Sequence, residues 1–564
     1  MPRSVNASAG GRAPASAPLT PAQDERFESW KEISAYLKRG VRTAQRWERF
    51  EQLPVRRHKH ARQESVYAVK SEIDEWRESR KPWKQWLNSG ESSERPLLRL
   101  AVLPFENISK NPEEEYFADG LTEEMIAQLS RAHPGTLSVI ARTTVMRYKG
   151  TEKTAEEIGK ELRVDALLEG SVRRYGDQLR VTAELIQVKD ESHLWAETYD
   201  RQVVDVLEIQ SSVAEQIAKS LELQLLPKRH ATPARNAAAH DAYLRGRYFW
   251  NRRTVPEFFR AIEYFKRAVE IDPDYALAHS GLADTYSTLG WYGVLTGKEA
   301  WERAEVSARK ALKADPHLAE GHTSLAFGLH SFAWDWAESE RQYRHALELD
   351  PNYVTGHQWY AFFLMAMGRM QEAEQHMKQA LALDPLSLTL NSYYGWVLYF
   401  ARRYDDAVEQ VLRALDIEPD FLIAHLILGL VYSQKKMLRE AIREYRIARD
   451  MVGETVLVLT GMAHVWGMAG KKREAQPNLD KLLSLKDQHV SPYQIAYAYA
   501  GCGMKDAAIE QLGHAVDQRE SWLPHLMVEP GLDGLRSDPR FKKIVGRVKF
   551  PALASGRDAR PAVS

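Results

Sequence analysis

Hydrophobic positions fall into a repeating pattern between about Ala242 and Gln518. Apolar and small residues recur at helical spacing in successive clusters: Leu282, Ala283 and Tyr286; Leu325, Ala326 and Leu329; Tyr360, Ala361 and Leu364; Leu428, Gly429 and Tyr432. Each cluster predicts one buried face of a helix. A second helix follows, marked by alanines seven apart and then a proline: Ala373, Ala380 and Pro385, then Ala407, Ala414 and Pro419. Ala441 and Ala448 repeat the pair, with Gly453 in the proline's place. Pro351, Pro385 and Pro419 stand 34 residues apart, and Pro273 and Pro316 hold the same place in two earlier, longer units. Proline lacks an N–H and its ring crowds the preceding turn, so each should end the second helix of its unit. The longer units predict insertions at 251–255 and 291–299.

Upstream, the pattern changes twice. SWKEISAYL places Trp30, Ile33, Ala35, Tyr36 and Leu37 on one helical face. After a turn at 38–40, VRTAQRWERFE predicts a second helix with Val41, Ala44 and Trp47 inward. LPVRRHKHARQESVYAV predicts a β-hairpin with a basic tip, and KSEIDEWRESR a closing helix that buries Ile73 and Trp76. From Leu97 onward LLRLAVLPF and LSVIAR predict buried strands, and 115–132 and TAEEIGKEL predict helices. DALLEGSVRR, QLRVTAELIQV and HLWAETYD predict three strands, turned at Gly176-Asp177 and Lys189-Asp190. An amphipathic helix over 203–225 closes this unit. The organisation is a disordered tail at 1–26, a small domain at 27–81, a linker at 82–96, an α/β domain at 97–226 and a linker at 227–239. The repeats span 240–520, a capping helix 521–550 and a second disordered tail 551–564.

Three resemblances follow from these stretches. The 34-residue period, with two helices and a proline break, resembles the tetratricopeptide repeat. That implies a solenoid that binds a protein or peptide and catalyses nothing. VRTAQRWE, LPV, VYAV and IDEW resemble the winged helix-turn-helix of the excisionase and MerR type, which implies that the second helix enters the major groove of duplex DNA. Gly40 stands where that family often has a capping serine. LAVLPFEN, FADGLTEEM, DALLEGSVRR and HLWAETYDR resemble the amino-terminal domain of TolB and related domains joined to tetratricopeptide repeats in bacterial regulators. TolB is exported; the first 26 residues here are rich in Ala, Ser, Pro and Gly without an apolar core, so its periplasmic role is not implied. The expected fold class is multidomain: a small winged helix-turn-helix, then an α/β TolB-like domain, then an all-α tetratricopeptide solenoid.

Composition narrows the function classes. The 564 residues hold 77 Lys plus Arg and 77 Asp plus Glu, so bulk charge names no partner. Local charge does: between Lys38 and Arg62 nine basic residues face two glutamates. Arg42, Thr43, Arg46 and Arg49 lie near one face of the second helix, where arginine reaches guanine bidentately and threonine suits a phosphate or a thymine methyl. Arg56, Arg57 and Lys59 at the hairpin tip suit phosphates beside the groove. A single cysteine, Cys502, excludes an internal disulfide and fits a reducing, cytoplasmic compartment. The longest apolar stretch, 393–401, is half the length of a membrane-spanning helix.

No enzymatic constellation, cofactor or metal is expected. GVLTGKE at 293–299 has one residue too few between its glycines for a phosphate loop and ends in Glu299 where serine or threonine must hold magnesium. The glutamates at 113–115, with Glu123 and Glu124, read as a solvated helix start. Cys502 reads as a small buried thiol. His58 and His60 form a pair without a further ligand. His279, His322, His357 and His425 share one repeat position; equivalent residues of stacked helices are too far apart to share a metal, so they read as packed side chains. On the opposite helix face Phe327, Phe362, Trp396 and Leu430 line up across four repeats, with Tyr399 and Phe400 beside them. An apolar stripe on what should be a solvated face predicts a groove for an apolar segment, from a partner or from 203–225 of this chain. The expected function is a cytoplasmic regulator that binds duplex DNA as a homo-oligomer and receives a protein or ligand signal. The alternative is a protein-interaction scaffold whose N-terminal domain no longer binds DNA.

Overall fold

The computed structural model describes residues 26–37, 41, 44, 48, 53–59, 64–79, 98–109, 111–132, 136–202, 206–221, 236–485 and 489–551. The chain divides into two compact units at 94/95. The first contains strands β1 (Arg26–Phe27), β2 (Arg56–Lys59) and β3 (Glu64–Val69), with helices α1 (Trp30–Tyr36) and α2 (Lys70–Ser79). The strands form an antiparallel sheet in the order β1-β3-β2. β1 was not legible, because two residues carry no periodicity; the Arg26 guanidinium lies 3.6 Å over the Tyr67 ring. Ser29 caps α1, its hydroxyl accepting the Glu32 N–H at 3.2 Å. Ile33, Leu37, Ala44, Leu53, Val66, Ala68 and Ile73 make the core. Ala35 faces solvent and Ser34 is buried in its stead. Val41, expected inward, is 37% exposed, and Trp47 lies outside the described residues. Of the expected second helix only Val41, Ala44 and Glu48 are described, each helical.

The second unit opens with a six-stranded sheet. β4 (Leu98–Val102) and β6 (Leu137–Val139) run parallel to each other, and β4 also runs parallel to β7 (Ala166–Tyr175). β5 (Glu106–Asn107) lies beside β7. β7, β8 (Gln178–Gln187) and β9 (His193–Gln202) form the expected antiparallel meander. The order is β6-β4-β7-β8-β9. Helices α3 (Glu115–Ala132), α4 (Arg142–Val145), α5 (Ala155–Leu162) and α6 (Val206–Ser220) complete this domain.

Eight helical pairs follow among the described residues: 237–271, 276–314, 319–349, 354–383, 388–417, 422–452, 456–484 and 492–517. The first begins at Ala237, capped by Asn236, three residues before the expected start. Each of the five prolines stands two residues beyond a helix end. The residue between is Asp272, Asp315, Asp350, Asp384 or Glu418, with φ between −130° and −140°. That is the extended backbone a following proline imposes. The pattern did not show that the first helix of the third pair ends in a π turn, Leu329–Ala333, closed by Trp334 at φ +61°. The expected boundary at 227–239 does not separate two cores. One hydrophobic cluster runs from Leu100 of β4 through Phe265 and Leu289 to Ala304 of the second repeat.

Candidate DNA interface, repeat surface and interdomain junction

Arg42, Thr43, Arg46 and Arg49 lie outside the described residues. Arg56, Arg57 and Lys59 were expected at a hairpin tip; they lie within β2 instead, opposite Tyr67, Val66 and Glu64. Two of them have acidic neighbours. Arg56 donates to Glu72 at 2.7 Å and Arg57 to Glu48 at 2.6 Å. Both arginines are about half exposed. Ion pairs this open to solvent are weakly held, so a phosphate could displace the carboxylate.

The aromatic stripe is not an open groove. Phe327, Phe362, Trp396, Tyr399 and Phe400 are buried and Leu430 is half-buried. Residues after Gln518 fill the space. Trp291 lies between Phe362, with ring centres 6.0 Å apart, and Trp522, 5.2 Å away. His525 packs on Trp396 at 5.0 Å and on Phe400 at 5.4 Å. The Tyr399 hydroxyl donates to Glu529 at 2.5 Å. Burial holds His525 down at about 3 and pushes Glu529 up from the usual carboxylate range. Of the expected occupant, 203–225, the described helix α6 packs on β8 and β9 instead. The expected capping helix is confined to Pro539–Val548, packed on the last repeat helix. Beyond it the Trp336 indole donates to the Val548 carbonyl at 3.4 Å and stacks on Phe550.

The histidines at one repeat position share a task. The Nε2–H groups of His279, His322, His357 and His425 donate to the carbonyls of Pro273, Pro316, Pro351 and Pro419, at 2.8–2.9 Å. In the fifth repeat Asn391 does the same for Pro385 at 3.1 Å. Each side chain satisfies a carbonyl at the turn before its own helix. The other end reaches the partner helix: His322 meets Gln342, His357 meets His376, Asn391 meets Gln410 and His425 meets Glu444. No group of three or more metal-ligating side chains occurs among the described residues. The 293–299 stretch is a helix start, Thr296 and Glu299 closing a capping box. Cys502 is half-buried and its thiol meets the Ala463 carbonyl at 3.5 Å.

The junction between sheet domain and repeats holds the charged groups that sequence reasoning misplaced. Glu123, expected at a solvated helix start, accepts from Arg247 at 2.5–2.8 Å and from Asn251 at 2.8 Å. Arg247 and Arg142 hold its carboxyl below the usual range despite burial. Asp241 accepts from the Tyr116 hydroxyl at 2.5 Å, Arg174 at 2.8 Å and Arg245 at 3.1 Å. Further along, the sheet domain meets three successive repeats, at the first turn of one helix and at two inter-repeat turns. Arg131 pairs with Glu320 at 2.8 Å. Asn352 donates to the Leu137 carbonyl at 3.2 Å. Thr144 donates to Asp384 at 2.6 Å and accepts from the Leu386 N–H, while Ala141 N–H and Arg99 donate to the carbonyls of Leu383 and Ala382. Burial raises Asp350 and Asp384 to about 6. The prolines marked these turns in the sequence; what would sit on them was not marked.

Residues 97–218 match the family described as "HilA/YgeH-like transcriptional regulator, second domain", and residues 364–430 match a tetratricopeptide repeat family. The repeats are tetratricopeptide repeats. Among curated proteins, "Putative adenylate cyclase 3" of Rhizobium meliloti (strain 1021) is 35% identical over 237 residues, 41% of this chain and 40% of that protein. Among solved structures, a tetratricopeptide repeat protein from Parabacteroides merdae is 14% identical, over 47% of this chain and 98% of its own, with a TM-score of 0.34. Pseudomonas aeruginosa PilF is 22% identical, over 36% and 90%, with a TM-score of 0.28. The chain spans about two-fifths of the length of the curated relative it matches. Its middle segment is a HilA/YgeH-like regulator domain followed by tetratricopeptide repeats.

Proposed function

We propose that this chain is a DNA-binding transcriptional regulator whose N-terminal unit is a winged helix-turn-helix, and whose middle domain and repeats receive a protein or ligand signal in the cytoplasm. The observation that carries this reading is the regulator-family match at 97–218, behind a helix-and-hairpin unit with nine basic residues between Lys38 and Arg62. Arg42, Thr43, Arg46 and Arg49 read bases from the groove helix, and Arg56, Arg57 and Lys59 hold phosphates. A helix-turn-helix reads few base pairs, so two copies engage two half-sites about one helical turn apart. The middle domain's likeness to TolB adds no ligand to this reading. Nor does the reading include catalysis: full-length protein given ATP and magnesium is expected to form no cyclic AMP.

One observation favours a scaffold that does not bind DNA: Arg56 and Arg57 are already paired with Glu72 and Glu48. Selection of genomic fragments on the full chain, followed by titration against salt, separates the two. The regulator binds with affinity falling steeply as salt rises. Lys59→Ala lowers the salt slope by about one, and Arg42→Ala with Arg46→Ala abolishes sequence preference. Equal binding by wild type and the double variant would sink the groove-helix assignment.

A further inference from the structure

The sheet of the middle domain ends in an open strand. β9 pairs with β8 in unbroken register from Gln202 to Trp195, and the ladder is interrupted only at Leu194. No strand among the described residues pairs with its other side. Of its ten residues only Trp195 and Tyr199 withdraw from solvent. A long regular edge presents free N–H and C=O groups to any passing strand, and proteins usually blunt such edges with proline, bulges or cover. Trp195–Gln202 contains no proline, and its one irregularity precedes it.

We propose that this edge pairs with β9 of a second copy of the chain, antiparallel, about a two-fold axis at Tyr199. In such pairing, opposed residues point to the same face and the axis passes through a residue pair. The charges along β9 then select the register. An axis at Glu197, Asp200 or Arg201 sets a charge against its own copy. An axis at Thr198 sets Glu197 against Tyr199 and Asp200 against Ala196, with no charge matched. An axis at Tyr199 sets Glu197 against Arg201 of the second copy, and Arg201 against its Glu197. Both side chains are exposed. Glu197 takes one bond, from the Tyr199 hydroxyl, and Arg201 has no ion pair among the described residues. Asp200 is already matched by Arg180 on the other face of the sheet, at 2.7 Å. The contact uses one patch twice, so it closes as a dimer and does not propagate. It forms without DNA and does not rest on the reading above, although it supplies the two-fold that half-site recognition requires.

Sedimentation or light scattering of the full chain, free of DNA, tests this. Wild type is expected to be a dimer at about 10 μM; Glu197→Arg and Arg201→Glu should each weaken it at least ~10-fold, and the two together should return it to within ~3-fold of wild type, because the swap restores the opposed pairs. Circular dichroism and melting of each variant show that the fold is kept, which two exposed positions should allow. A monomeric wild type overturns the proposal. So does a dimer indifferent to both single reversals, or a double swap as weak as the singles.

Discussion

Single residues in this chain are placed by the carbonyls and carboxylates they must satisfy. The repeat-position histidines show this: their ring size reads as packing, and their chemistry closes the Pro carbonyl of the preceding turn. Asn391, which shares no shape with histidine, occupies the same place because it too carries an N–H at that reach. The acidic residue before each proline is the complement. Asp384 is buried, accepts from Thr144, and titrates near 6 against 3.8 for a free side chain. Between those values the folded protein holds a proton that the unfolded chain has released. Stability from this group is therefore greatest in acid and declines as pH rises from about 4 through 6. Asp384→Asn keeps an acceptor for Thr144 and carries no charge. It is expected to raise the melting temperature at pH 7.5, by up to roughly 2–3 kcal/mol of stability, with the gain vanishing near pH 4. Differential scanning calorimetry across that range measures it; an equal gain at all pH values would assign the effect elsewhere.

At the scale of elements, the second residue set of interest is the aromatic stripe, where the same pattern admits two meanings. Phe327, Phe362 and Trp396 recur at the repeat period, and a periodic apolar face records only that something covers it. What covers it is Trp522 and the three-residue 3₁₀ turn Leu523–His525 that follows it, a segment too short to leave a periodic trace. Those positions are core. Phe362→Ala with Trp396→Ala is expected to cost about 3–5 kcal/mol for each ring, less where the site collapses. The repeats should unfold in milder urea, and the apolar dye ANS should bind at concentrations where wild type excludes it. Helix positions, the paired alanines and the β7–β9 meander were legible, because each is a local period. The occupant of the stripe, the two-residue strand β1 and the π turn at Leu329–Ala333 were not, because each depends on contacts made far along the chain or on a segment shorter than one period.

For the whole of the second unit, the middle domain and the solenoid are one folding body. Composition suggested a break at 227–239, where the chain is rich in alanine and basic residues; the cluster from Leu100 to Ala304 spans it regardless. Glu123 and Arg247 pair, half-buried, between the middle domain and the first repeat. Arg247→Ala would remove the nearer of the two arginines facing Glu123 and leave Arg142 at 3.4 Å, a loss of about 1–3 kcal/mol. The sheet domain and first repeats are expected to melt together in wild type, as one calorimetric transition, and to separate into two in the variant. A repeat array by itself behaves as a spring, each unit turning slightly on the next. Here a rigid sheet domain is fastened to the repeats at Glu320, Asn352 and Asp384, one on each of three neighbours. It splints that half of the array. Residues 519–550 close the array from its other end, returning to Gly290, Phe332 and Tyr399, so a pull on this protein should meet a clasped ring of repeats that yields only when one of the two fastenings opens.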